Sequence, residues 1–194
     1  RHGIGYSRFT SSKNGVKASV LSFVPLNDNC EISQLTLTNG SSEDKKLSVF
    51  SYVEWCLWNA DDDMKNFQRN LSTGEVEVQD STIYHKTEYR ERRNHYAIYS
   101  VNTKIDGFDT SRDAFLGAYR GADSPEAVEN GKCTNSMASG WSPIASHQIN
   151  VDLAAGETKT FIFVLGYIEN PEDEKWESYG VINKTRAKEM LAKY

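Results

Sequence analysis

Between Trp55 and Ser72 the chain reads Trp-Cys-Leu-Trp-Asn-Ala-Asp-Asp-Asp-Met-Lys-Asn-Phe-Gln-Arg-Asn-Leu-Ser. These residue types suit a ligand covered in hydroxyl groups. The C–H face of a pyranose stacks on an aromatic ring, while planar amide, carboxylate and guanidinium groups take neighbouring hydroxyls in pairs. The same residues also allow a plainer reading, a strand of buried aromatics that runs into a solvated turn. Two other clusters could carry chemistry. Asp61-Asp62-Asp63 offers three carboxylates, but adjacent side chains cannot all point at one ion, and calcium-loop spacing is missing. His85, Glu88, Glu91 and His95 form a loose ligand set. The strand pair around them is expected to spread the four over both faces, which favours a solvated charged surface or an inter-domain contact over a metal site. The sequence has no Gly-rich phosphate loop, dinucleotide fingerprint or Ser-His-Asp order, and no acid pair stands out for glycoside hydrolysis. No catalytic residue, metal ligand or cofactor is therefore assigned.

Composition narrows the class. The 194 residues suffice for one domain with a sizeable core. A formal net charge of -5 argues against a nucleic-acid partner. No apolar run approaches the roughly 20 residues that cross a bilayer as a helix, so no membrane partner is expected. Cys30, Cys56 and Cys133 are odd in number and lack C-x-x-C spacing. This fits a reducing, cytoplasmic setting better than a disulfide framework. The opening Arg1-His2-Gly3 has no initiator Met, and the chain is expected to be a fragment of a longer protein.

Period-two patterns position these residues. Alternation marks strands over 16–24, 32–37, 75–78, 82–85, 95–101, 147–153 and 158–167. Leu47 to Trp58 is the strongest, with Leu47, Val49, Val53, Trp55 and Leu57 on one face and Phe50, Tyr52, Cys56 and Trp58 on the other. A strand apolar on both faces is expected between packed layers. Asn14-Gly15, Asn130-Gly131 and Ala155-Gly156 supply turns. Many strands without intervening helices predict an antiparallel sandwich. Gly107 to Pro143 reads as long loops with short pieces of structure, either functional or packed against something. From Asn170 the character changes. Pro171 followed by Glu172, Asp173 and Glu174 predicts a helix stopped by Gly180. A second helix capped by Asn183 would carry Ala187, Met190, Leu191 and Tyr194 on one stripe, left unfinished at the chain's end.

Several long runs resemble the cellobiose phosphorylases of glycoside hydrolase family 94. They are His2–Tyr6, Phe50–Val78, Ile83–Tyr96, Gly107–Gly117, Ser139–His147 and Val164–Pro171. The likeness covers essentially the whole chain in order. It implies a mainly β, antiparallel super-β-sandwich of the galactose-mutarotase-like kind, with a short C-terminal helical segment. Residues 1–169 would be the sandwich, incomplete at its start, and 170–194 the beginning of a helical linker to an absent (α/α)6 barrel. The implied reaction is an inverting phosphorolysis, in which phosphate attacks the anomeric carbon of cellobiose and releases α-glucose 1-phosphate and glucose. Inorganic phosphate is then a co-substrate, and the acid lies in the barrel, so the fragment alone would be inactive. The resemblance further implies a homodimer in which one subunit's sandwich shapes its partner's sugar cleft. Asn59, Asn66, Gln68 and Arg69 are the substrate-binding candidates. Cellodextrin and chitobiose phosphorylases are the near alternatives, and a stand-alone carbohydrate-binding module with Trp55, Trp58, Trp141 and Tyr167 as a stacking platform is the distant one.

Overall fold

A computed structural model of the chain describes residues 1–55, 73–86, 93–141 and 143–194. The first strands are β1 (His2–Gly3), β2 (Tyr6–Lys13), β3 (Val16–Phe23), β4 (Cys30–Asn39), β5 (Lys45–Phe50) and β6 (Val53–Glu54). Next come β7 (Thr73–Gln79), β8 (Thr82–His85), β9 (His95–Val101) and β10 (Gly107–Ser111), then helices α1 (Arg112–Leu116) and α2 (Glu126–Glu129). The chain closes with β11 (Ser139–Trp141), β12 (Pro143–Leu153), β13 (Thr158–Glu169), β14 (Trp176–Ser178), β15 (Val181–Ile182) and helix α3 (Thr185–Leu191).

Alternating residues feed the two faces of each strand, and two main sheets result beside the small β14–β15 pair. The larger runs β1-β2-β3-β4-β13-β9-β8-β7-β11, and the smaller runs β10-β12-β5 with β6 also on β12. Every strand pair within these two sheets is antiparallel. Asn14 and Gly15 both have positive φ, 51° and 80°, which gives the tight β2–β3 hairpin its twist. The chain is mainly β, as the alternation predicted, and among the described residues no helix is long and apolar enough to cross a membrane.

The core is layered. Between the sheets lie Leu37, Ile83, Tyr99, Ile149, Val151, Phe161 and Phe163. Outside the large sheet, Ile32, Tyr96, Ile98, Val164 and Ile168 pack against Ala187 and Met190 of α3. Outside the small sheet, Phe115, Leu116, Ala127 and Cys133 pack on Ile144 with Phe50 and Tyr52. The loop-rich stretch 107–143 is thus packed against the small sheet. Asp109, fully buried, holds it by accepting bonds from the N–H and hydroxyl groups of Thr134 and Ser136.

Three expectations are corrected. The strand predicted from Leu47 is interrupted after Phe50. Its register on β12 does not slip: Phe50 lies opposite Gln148 and Val53 opposite Ala145. The break arises because His147 N–H donates to the Ser51 hydroxyl at 2.9 Å, where a backbone carbonyl would ordinarily accept. Its two faces do meet two different cores, with Leu47, Val49, Val53 and Trp55 inside and Phe50 and Tyr52 outside.

The helix predicted after Pro171 is absent. One turn forms, with Glu174 N–H donating to the Pro171 carbonyl, and the chain then enters the β14–β15 hairpin. The Glu174 carbonyl is taken by the side-chain amides of Asn170 and Asn183, and Asn183 N–H donates to Lys175. These partners, four to nine residues away along the chain, draw the backbone out of the helix that the capping signals favour.

The apolar stripe of α3 is not left unfinished. Ala187 and Met190 are buried against the large sheet, with Leu191 and Tyr194 beside them. The approach is close enough that a Cβ at Gly166 would strike the Met190 and Ile98 side chains. Asn183 still serves the start of α3, its Oδ1 accepting Thr185 N–H at 3.1 Å.

A mostly buried charge cluster fastens this segment to the sheet. Glu77 accepts from Lys184 Nζ at 2.5 Å and from Ile182 N–H at 2.9 Å, while Lys86 Nζ stands 3.3 Å from it and donates to the Gly180 carbonyl. Burial alone would push the Glu77 carboxyl up. The bonds from Lys184, Ile182 and Lys86 overcome this and hold it below its ordinary value. That stabilisation is present above the ordinary carboxylate range and is lost as pH falls through the folded value. Glu77→Gln leaves the buried Lys184 ammonium without its carboxylate and leaves Lys86 only the more exposed Glu75, 3.6 Å away, and should cost about 3 kcal/mol in urea unfolding. A loss below about 0.5 kcal/mol, the scale of ordinary surface changes, would contradict this account.

Candidate functional site

The strand ends near Trp55 gather at one end of the sandwich. There β6 stops at Glu54, the next segment returns at Thr73, β8 ends at His85 and β9 begins at His95. The small sheet does not extend over the end of the large one, so the inner face of β4, β13 and β9 forms the floor of a groove. Glu31, Leu165, Ala97 and Tyr167 lie on this floor, since Glu31 pairs with Leu165 and Ala97 with Tyr167. Glu54 and Trp55 close one side, and the segment Val24 to Asn29 closes the other. The groove volume is about 770 Å³.

Its walls are held from behind. Trp55 stacks on His85, with ring centroids 5.3 Å apart and planes 20° apart. The hydroxyl of Tyr167 and Nδ1 of His95 form a hydrogen bond, and Glu169 stands 3.8 Å from the other His95 nitrogen. Glu54 accepts from the Tyr52 hydroxyl at 2.5 Å and from Arg112 Nε at 3.1 Å. The opposite wall is tied to the chain's last residues, because Asp28 accepts from Lys193 Nζ at 2.6 Å and from the Tyr194 hydroxyl at 2.7 Å. These two bonds hold the Asp28 carboxyl below its ordinary value. The backbone carbonyl of Asn29 accepts Tyr167 N–H at 2.8 Å, which fixes the loop to the floor.

Burial sets the remaining protonation states. The Cys30 thiol is pushed up by burial, so it remains a thiol at neutral pH and is no nucleophile. His85 is pushed down to about 4, chiefly by burial and secondly by the positive charge of Lys175. Trp55 Nε1 and His85 Nδ1 are buried without hydrogen-bond partners among the described residues. Among the described residues the groove therefore offers recognition: aromatic surface, amide and carboxylate, without an activated nucleophile.

The sequence-derived candidates Asn59, Asn66, Gln68 and Arg69 lie outside the described residues, as do Asp61 to Asp63, Glu88, Glu91 and Trp58. Their segment leaves from Trp55 and returns at Thr73. Of the loose ligand set only the two histidines lie among the described residues. His85 and His95 share the inner face, because His85 pairs with Ala97, two residues beyond His95. His85 is 5% exposed rather than solvated. Of the four aromatics of the stacking platform, Trp55 and Tyr167 line the groove and are half-buried, while Trp58 and the Trp141 side chain lie outside the described residues. Sequence reading missed Asn29, Glu31 and the Glu54–Arg112 pair. Tyr52 and Glu54 share a face by alternation, which was legible, whereas Arg112 is 58 residues away.

The family model of the glycosyl hydrolase 94 supersandwich domain matches residues 1–194. The chain belongs to this family. It is 32% identical over 167 residues to an N,N'-diacetylchitobiose phosphorylase of Vibrio proteolyticus, covering 86% of the chain and 21% of that protein. It is 29% identical over 178 residues to a solabiose phosphorylase of Paenibacillus borealis, covering 88% of the chain and 22% of that protein. The chain thus spans about a fifth of the length of the curated relatives it matches. Among solved structures, one described as a kojibiose phosphorylase from human microbiome shares the fold, with a TM-score of 0.51 at 11% identity over 84% of the chain and 17% of that structure.

The buried histidines make stability depend on pH. His147, fully buried, is pushed down to about 3 by burial. An unfolded histidine takes up a proton near pH 6.5, which the folded chain refuses until about 4 at His85. Stability is therefore full above the unfolded value and is lost as pH falls below it. With both histidines the slope should be roughly 2 kcal/mol per pH unit between pH 6 and 4.5. His85→Asn should halve that slope in urea unfolding, and an unchanged slope would contradict the assignment.

Proposed function

We propose that this chain is the supersandwich part of an inverting disaccharide phosphorylase acting on cellobiose and inorganic phosphate. The observation that carries the reading is the family match across residues 1–194, joined to relatives named as phosphorylases of disaccharides. The motif runs that resemble cellobiose phosphorylase, above all Phe50–Val78, select the substrate. Phosphate attacks the anomeric carbon, a carboxylic acid outside this chain protonates the leaving oxygen, and α-glucose 1-phosphate and glucose depart. No step needs a cofactor. The sandwich serves a cytoplasmic homodimer, and Asn59, Asn66, Gln68 and Arg69 offer their amides and guanidinium to sugar hydroxyls in the partner's cleft. Residues 170–194 lead towards the barrel that carries the acid.

The 32% identity to a chitobiose phosphorylase favours one second reading, a substrate with N-acetylated sugars. The full-length protein, given phosphate and either cellobiose or N,N'-diacetylchitobiose, distinguishes the two. Release of glucose 1-phosphate from cellobiose is expected. Phosphorolysis of chitobiose alone would move the assignment, and no sugar phosphate from either would end it. Asn66→Ala together with Arg69→Ala should raise KM for the disaccharide by roughly tenfold or more, the scale of two lost hydrogen bonds. Dimers whose kinetics are unaffected would instead make the sandwich a purely structural support.

A further inference from the structure

We propose that the groove floored by Glu31, Leu165, Ala97 and Tyr167 is itself a saccharide-binding site, taking a short neutral oligosaccharide of glucose-type units. Its volume of about 770 Å³ lies within the range of about 300–1,000 Å³ typical of ligand sites, and it has their usual make-up, apolar and aromatic surface with few polar groups. Tyr167 and Trp55 are set by His95 and His85 behind them, so their rings are fixed before a ligand arrives. Rings fixed in advance spare the ligand the cost of ordering them.

The polar lining selects the ligand class. Among the described residues no Lys, Arg or His lines the groove, so an anion such as phosphate would meet Glu31 and no described cation. A metal ion is also disfavoured. Asp28 is paired with Lys193 and Glu54 with Arg112, and the described residues hold no group of three His, Cys, Asp or Glu able to ligate one. An apolar peptide would bury the exposed Asn29 and Glu31 without partners. The Asn29 side chain makes no hydrogen bond among the described residues, and Glu31 accepts one long bond, 3.4 Å, from Ser33. Amide and carboxylate together can donate to and accept from neighbouring hydroxyls while a pyranose face lies on the aromatic floor. The choice of a sugar over other neutral polyols rests on the phosphorylase reading.

Calorimetry on the full-length protein without phosphate, with cellotetraose as the probe, tests the site. Asn29→Ala with Glu31→Ala, two exposed positions, should bind one fewer cellotetraose per chain than the wild type, or bind it about tenfold more weakly at that site. Equal site number and affinity in the two proteins would overturn the proposal, as would no binding by the wild type. If the variant melts at a lower temperature, crystals of wild-type protein soaked in cellotetraose decide. Sugar density over Tyr167 upholds the site, and a groove without sugar density overturns it. Glucose 1-phosphate release by the wild type is a separate readout, so the phosphorylase reading can fail while the difference in site number still stands.

Discussion

Everything in this domain hangs on the two hydrogen-bond ladders of β13. Its residues Thr158 to Gly166 pair with β4, and Phe163 to Glu169 pair with β9, so the strand is held on both edges where the ladders overlap. Because side chains alternate, one strand feeds two cores: Phe161 and Phe163 point between the sheets, and Val164 and Ile168 point to α3. A one-residue slip would exchange the two sets and empty both cores at once. The same register sets Tyr167 and Leu165 on the groove floor and Gly166 beneath Met190. Site and scaffold are thus one alignment.

Several buried polar groups are answered by partners fixed in the fold. Asn39, fully buried, donates to the carbonyls of Glu43, Leu153 and Ala154 and accepts from Ser41, which closes the turns at the far end of the sandwich. Asp109 does the same for the loops over the small sheet, and Glu77 for the C-terminal segment. Among the described residues Trp55 Nε1 and His85 Nδ1, in the stack behind the groove, have no partner, and neither do Ser146 Oγ, His147 Nε2 and Asn170 Oδ1 elsewhere in the fold.

Strands were legible wherever alternation ran unbroken. The readings at 95–101 and 158–167 match β9 and β13 closely because each side chain there has one face to choose. The long-loop reading of 107–143 also held, since short pieces of structure pack there against Ile144. Legibility failed where a side chain replaced a backbone partner. The Ser51 hydroxyl interrupts a strand that local pattern makes continuous, and Asn170 with Asn183 turns an apparent helix start into a hairpin. No local signal carries such pairings. The groove was hidden for the same reason: its floor joins residues 31, 97 and 167, and its walls add 29 and 55. Sequence reading saw the sugar-compatible chemistry of the run after Trp55 but could not see that Trp55 also belongs to a concave surface.

The clasp at Asp28 has a mechanical consequence. It joins a groove wall to the final turn of the chain across 165 positions of sequence, through one carboxylate, one ammonium and one phenol. The ammonium of Lys193 is 56% exposed, so dissolved ions compete for this contact as they cannot for the enclosed Glu77 cluster. Ionic strength therefore acts as a selective lever on this architecture: it loosens one rim of the groove while the β-layers beneath keep their shape.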